Sequence, residues 1–152
     1  MAEVLEMDFD LNGLYHVKVD AKGRMPLPAQ LRNALPENLV DFKVTVSPEG
    51  DCLYLFSSEG FNRWVRQAFE NRFGKADGTS LLERKLRSKL KSRVRDVSLD
   101  SAGRIMLSPD QREKAGIEKD VCVIGNEGYI EIWDEDRRTA FDEDVDLSIL
   151  FG

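Results

Sequence analysis

Two short stretches hold the groups best suited to chemistry. D-A-K-G-R at Asp20 to Arg24 recurs as D-S-A-G-R at Asp100 to Arg104. An aspartate that opens a turn can accept hydrogen bonds from backbone N–H groups two residues on. A glycine at the fourth position can take the positive φ needed where a type I turn meets a bulge. The arginine that follows can fork onto a guanine edge or a phosphate, and lysine offers phosphate a point charge. Lys22 stands at the first tip, where the second turn has Ala102. Two readings stand for Arg24 and Arg104. They contact an anionic partner, or they pair with Asp20 and Asp100 and only hold the fold. The missing second lysine favours the first turn as the contact surface.

Other chemistry is sparse. His16 is the only histidine, and neither it nor Cys52 and Cys122 falls at metal-ligand spacing. There is no glycine-rich phosphate loop and no nucleophile elbow. The carboxylates lie on turns and tails. No cofactor, small-molecule substrate or enzymatic activity is therefore expected. The cysteines sit in apolar runs, which reads as reduced thiols packed in strands of a cytoplasmic protein. No run of about 18 apolar residues predicts a membrane span. The acidic opening, M-A-E-V-L-E-M-D-F-D, lacks the positive region of a secretory signal.

The net charge of −6 hides a division. Residues 1–12 hold four acids and no bases, and residues 134–152 hold seven acids against two arginines, which leaves +3 for residues 13–133. A mildly basic body with acidic ends is compatible with an anionic partner. From Arg84 to Arg95 seven of twelve residues are basic and none is acidic. On a helix these make a positive face, either solvated or in contact with phosphates.

The turns belong to a longer repeat. V-K-V-D-A-K-G-R-M-P-L-P-A-Q-L-R (Val17 to Arg32) lies over V-S-L-D-S-A-G-R-I-M-L-S-P-D-Q-R (Val97 to Arg112). Arg32 recurs as Arg112 and joins Lys22, Arg24 and Arg104 as a candidate DNA contact. F-K-V-T-V-S-P-E-G-D-C-L-Y-L-F then resembles V-C-V-I-G-N-E-G-Y-I-E-I-W. Each half reads strand, turn, strand, short helix, strand, turn, strand. The first turn is expected to close a tight hairpin, its return strand kept short or at an edge by Pro26 and Pro28. Ser108-Pro109-Asp110-Gln111 fits a capping box with proline at the first helical position, and Gly116 ends that helix. Pro28 opens the equivalent helix without a good cap. Small sheets cannot each bury a face alone, but two similar halves can cover each other.

A helical insert separates the halves. Phe61, Trp64, Val65, Ala68, Phe69 and Phe73 fall at helical spacing, and Gly74 ends the pattern. After the K-A-D-G-T-S loop, Ser80 to Glu83 form a second capping box. Leu82, Leu86, Leu90 and Val94 follow as a stripe expected to be core. Helices after each half, including one from Asp134, are also placed to pack between subunits.

The doubled D-x-x-G-R turn, the P-L-P and S-P steps into short helices, and the closing E-I-W-D (Glu131 to Asp134) together resemble the MraZ family, within the AbrB and MazE group. The likeness covers roughly residues 14 to 138. It implies an α+β, mainly β fold: a pseudo-two-fold double-split β-barrel of two β-hairpin and short-helix repeats, with extra helices after each half. The divisions would be 14–57, the first half; 58–94, the helical insert; 95–138, the second half; and 139–152, an acidic tail, in one compact domain. It also implies a cytoplasmic, nucleoid-associated transcriptional regulator that binds double-stranded DNA at direct repeats upstream of its own division and cell-wall operon. Family members assemble into rings, so a homo-oligomer is expected. The turn arginine of the first copy, here Arg24, is the implied DNA contact, with Lys22 beside it and Arg104 in the equivalent second position. The alternative is an assembly module of the antitoxin type whose acidic tail binds a partner.

Overall fold

The computed structural model of the chain describes residues 10–74 and 80–152. The acidic opening up to residue 9 and positions 75–79 of the K-A-D-G-T-S loop lie outside the described residues. In chain order the elements are β1 (Leu14–Lys18), β2 (Arg24–Pro26), α1 (Ala29–Ala34), β3 (Asp41–Val46), β4 (Leu53–Ser57), α2 (Ser58–Phe73), α3 (Leu81–Ser92), β5 (Arg95–Ser98), β6 (Arg104–Met106), α4 (Pro109–Ala115), β7 (Asp120–Gly125), β8 (Ile130–Asp134), α5 (Glu135–Glu143) and α6 (Ser148–Phe151). The fold is α+β and mainly sheet.

Local signals set the boundaries. Ser108 caps α4 by accepting from the Gln111 N–H, and Gly116 ends it at φ 70°. Ser80 Oγ accepts from the Glu83 N–H and donates to the Glu83 carboxylate, which closes the box that starts α3. Pro28 precedes α1 with no side-chain cap. Gly74 stops α2 at φ 75°. β3 and β4 form one hairpin, β7 and β8 the other.

The pairing between halves differs from the expected hairpin at the first turn. Asp20 N–H donates to Arg24 O and Gly23 N–H to Asp20 O, each at 2.9 Å, so the turn forms. The flanking strands then part. β1 pairs with β7 and β2 pairs with β6, both of the second half. In return β5 pairs with β3 of the first half. The six-stranded antiparallel sheet runs β1-β7-β8-β4-β3-β5, and β2-β6 make a separate ribbon. Exchanging the halves maps this order onto itself, with β4-β8 and β2-β6 at its centre. Among the described residues no ladder joins the edge strands β1 and β5.

Alternation along the strands sorts the two faces. Phe42, Val44, Leu53, Leu55, Val121, Val123, Ile130 and Ile132 face one way and are fully buried. They pack with Met25 and Ile105 of the ribbon and Leu27, Leu31 and Leu107 beside it in one core. On the other face Phe56 packs with Phe61 and Val65 of α2. Trp133 packs there with Cys52 and Cys122, both free thiols, and with Phe141 of α5 at a ring distance of 4.7 Å.

The E-I-W-D stretch explains itself in this setting. Glu131 is buried, and its carboxylate accepts from Trp133 Nε1–H at 2.7 Å and Asn126 Nδ2–H at 2.8 Å. Ile132 enters the core, and Asp134 caps α5 through the Arg137 N–H. The leucine stripe of α3 is less buried than expected. Leu90 and Val94 pack against the aromatic cluster, while Leu82 and Leu86 are exposed.

Ile132 sits opposite Leu53 on the central β4–β8 ladder with no exposure. Ile132→Ala should therefore lower stability by about 2–5 kcal/mol in urea unfolding. A loss much below 1 kcal/mol would place the structural centre elsewhere.

Candidate nucleic-acid interface

The two D-x-x-G-R turns are near copies in three dimensions. Asp20 Oδ1 accepts from the Lys22 and Arg24 N–H groups, both at 2.9 Å, and Oδ2 accepts from Arg24 Nε–H at 2.8 Å. Asp100 accepts from the Ala102 and Arg104 N–H groups at 2.9 Å and from Arg104 Nε–H at 3.0 Å. One carboxylate thus closes the turn and orients the arginine that leaves it. The fold-holding contact is present, since the aspartate holds Nε of each arginine, and the terminal Nη groups have no partner among the described residues.

Gly23, at φ 88°, is the position that only glycine fits. A Cβ there would lie 2.7 Å from Leu107 O of the other half. That carbonyl and the Leu107 N–H belong to the strand the turn must approach, and Leu107 N–H donates to Gly23 O at 2.8 Å. The second turn repeats the arrangement, with Leu27 N–H donating to Gly103 O at 3.0 Å.

The ribbon aims the arginines together. Arg24 stands opposite Met106, Met25 opposite Ile105, and Pro26 opposite Arg104. Met25 and Ile105 point into the core, so Arg24, Pro26, Arg104 and Met106 share the outer face. Met106 is 53% exposed between them. Arg24 and Arg104 are diagonal neighbours on this face.

Lys22 is exposed at the first tip, and its ammonium has no hydrogen bond or ion pair among the described residues. Arg32 does something that spacing did not show. Its Nε–H donates to Leu27 O at 2.9 Å, and its guanidinium lies against Gly103, the turn of the other half. Arg112 mirrors it, donating to Leu107 O at 3.3 Å and lying against Gly23. The ribbon therefore gathers Lys22 and four arginines against two carboxylates. Arg112 was visible in the sequence only as the repeat partner of Arg32.

Together these features define a duplicated α+β protein whose halves share strands and present one basic ribbon on the axis between them. The chain belongs to the MraZ family. Residues 11–84 and 93–147 match the family model described as "MraZ protein, putative antitoxin-like". The "Transcriptional regulator MraZ" of Marinomonas sp. (strain MWYL1) is 34% identical over 133 residues, 87% of this chain and 85% of its own length. The protein of the same name from Burkholderia mallei (strain SAVP1) is 36% identical over 129 residues, 84% of each chain. That of Lachnoclostridium phytofermentans is 33% identical over 125 residues, 82% of each chain.

The turn carboxylates carry a pH signature. Backbone donation, first from Arg24 N–H and likewise from Arg104 N–H, holds the Asp20 and Asp100 carboxyls below their ordinary 3.8. A depressed carboxyl lends stability that is fully present above its unfolded value and is lost as pH falls through the lower folded value. Carboxyl NMR signals of Asp20 and Asp100 should titrate with midpoints under 3.8, and the Gly23 and Gly103 amide signals should move in the same window. Midpoints at or above that value would mean the turn bonds are not kept in solution.

Proposed function

We propose that this chain is a sequence-specific DNA-binding transcriptional regulator that reads its site with the β2–β6 ribbon. The observation that carries this reading is the pair Arg24 and Arg104, set side by side on one outward face with their Nη groups unclaimed. The major groove of B-DNA admits a two-stranded ribbon, and a guanine offers arginine two acceptors. Arg24 is assigned to a base edge, with Lys22 at the tip on a phosphate. Arg104 continues the contact from the other strand. Arg32 supports the second turn from behind and adds positive charge. Arg84 and Lys85, on the same basic helix but outside the groove lined by Trp64, Leu86 and Leu90, supply further phosphate contacts. Support also comes from the relatives, which are named transcriptional regulators.

One ribbon makes few contacts, and repetition is the remedy. In a ring of subunits on direct repeats, each later contact forms at high effective concentration. The sites in view are repeats upstream of the chain's own division and cell-wall operon, reached in the nucleoid of the cytoplasm. In this reading the open sheet and the ribbon are the two parts of a split barrel.

An assembly role has its own support in the unpartnered apolar surface. Ile149, Leu150 and Phe151 of the tail are each more than 70% exposed. They follow Asp142, Glu143, Asp144 and Asp146. A groove of about 710 Å³ is lined by Trp64, Val65, Leu86 and Leu90, with Lys89 and Arg93 beside them. Acidic and apolar tail matches basic and apolar groove, so the occupant we assign is the tail of a second copy.

Two measurements test these roles. In fluorescence anisotropy with a duplex from upstream of the gene, Arg24→Ala should reduce affinity by about tenfold or more, since a bidentate arginine–guanine contact is worth about 1–3 kcal/mol. Lys22→Ala should instead weaken all sequences alike and lower the salt slope by about 1. Equal binding by wild type and Arg24→Ala would make the turn arginine architectural. In analytical ultracentrifugation, truncation after Glu143 and Leu86→Asp should each shift the protein to smaller species. An unchanged mass would remove the tail from the interface.

A further inference from the structure

We propose that His16, Cys122 and Glu135 form a binding site for a divalent cation of the zinc class, coordinated by His16 Nδ1, Cys122 Sγ and a Glu135 carboxylate oxygen. The three side chains come from β1, β7 and the first turn of α5, and their donor atoms all lie within 4.8 Å of one another. This site lies away from the ribbon residues and does not depend on the DNA-reading role.

The backbone fixes the three ligands before any ion arrives. His16 is paired directly with Cys122 on the β1–β7 ladder, and Cys122 with Trp133 on the β7–β8 ladder. Glu135 follows two residues after Trp133, where Asp134 caps α5. Two hydrogen-bonded registers and one helix cap therefore hold the site, and little side-chain ordering is left to do.

The two spacings from His16 fit tetrahedral coordination. His16 Nδ1 lies 3.7 Å from Cys122 Sγ and 3.5 Å from Glu135 Oε2. Zinc bonds of about 2.3 Å to sulfur and about 2.0–2.1 Å to nitrogen or oxygen place neighbouring donors about 3.4–3.6 Å apart at a tetrahedral angle. One ring nitrogen bears either one hydrogen or one lone pair, so it cannot bond both neighbours well. A cation at the centre serves all three. His16 and Glu135 are 65% and 44% exposed, while the thiol is buried, so the fourth position opens to water.

Charges of both signs surround the site: Asp134 and Asp142 act on Cys122 along with Glu135, Arg138 opposes them, and Lys18, bound to Asp120, lines the same cleft. A dication would neutralise the thiolate and the carboxylate that bind it. On binding, the S–H bond breaks, the sulfur pair goes to the metal and the proton leaves to solvent. Thiolate with imidazole and carboxylate selects zinc, or cobalt as its spectroscopic substitute, over magnesium and calcium. The ion would fasten β1, an edge strand of the first half, to β7 and α5 of the second.

The test uses the full chain, stripped with a chelator and titrated with Co²⁺. One equivalent should produce a thiolate-to-cobalt charge-transfer band in the near ultraviolet, and Zn²⁺ should displace it. Cys122→Ser should abolish the band, while Cys52→Ser should keep it. His16→Ala and Glu135→Gln, both at exposed positions that the fold tolerates, should each weaken binding by about tenfold or more. Wild type should melt at higher temperature with Zn²⁺ than without, and His16→Ala should lose that rise. No band at one equivalent, a band that survives Cys122→Ser, or His16→Ala binding as tightly as wild type would each overturn the site.

Discussion

β1 is completed by β7, β5 by β3, β4 by β8 and β2 by β6, so each half of the chain finishes the other's ladders. Within itself each half pairs only one two-stranded hairpin, β3–β4 or β7–β8. An edge strand with free N–H and C=O groups invites wrong partners. Here every strand of the repeat that its own hairpin does not pair is paired across the halves. The crossed pairing also explains why the halves must stay alike. A strand that exchanges partners has to match the register of both, and a slip of one residue would turn its core side chains to solvent.

The same exchange creates the basic ribbon. β2 and β6 are only three residues long, and they meet where the two halves meet. Each turn leans on the other half through its glycine, and an arginine of the opposite short helix fills the space beside it. An aspartate holds Nε of each outward arginine. Long side chains lose rotamer freedom when they bind, and one held in advance loses less. The fold and the basic surface therefore use the same residues.

Charge is laid out by region. The ribbon and the helix that precedes β5 are basic, and the acids collect at the C-terminal helices. The tail puts apolar residues after its acids, and the groove beside α3 puts basic residues among its apolar ones. The two surfaces are thus complementary in charge, and both lie apart from the ribbon in sequence.

Much of this was legible in the sequence because it is local. Asp20 with Gly23 specifies a turn, Ser108 with Pro109 specifies a helix start, and the continuous apolar run from Leu53 to Phe56 fits a strand with two buried faces. These follow from interactions within a few residues, so spacing alone carries them. Partners of those strands were not local. The D-A-K-G-R turn looked like a closed hairpin, yet its strands lead to β7 and β6 about 80 to 110 residues away. The contact of Arg32 with Gly103 and the meeting of His16, Cys122 and Glu135 have no sequence signal, because cross-half register brings them together. Leu82 and Leu86 carry a core-like period, but it is Leu90 and Val94 further along the stripe that meet the aromatic cluster. The sequence by itself determined the repeat, the turns and the basic residues on them. Only tertiary structure decided which strands pair, and so which of those residues share a face.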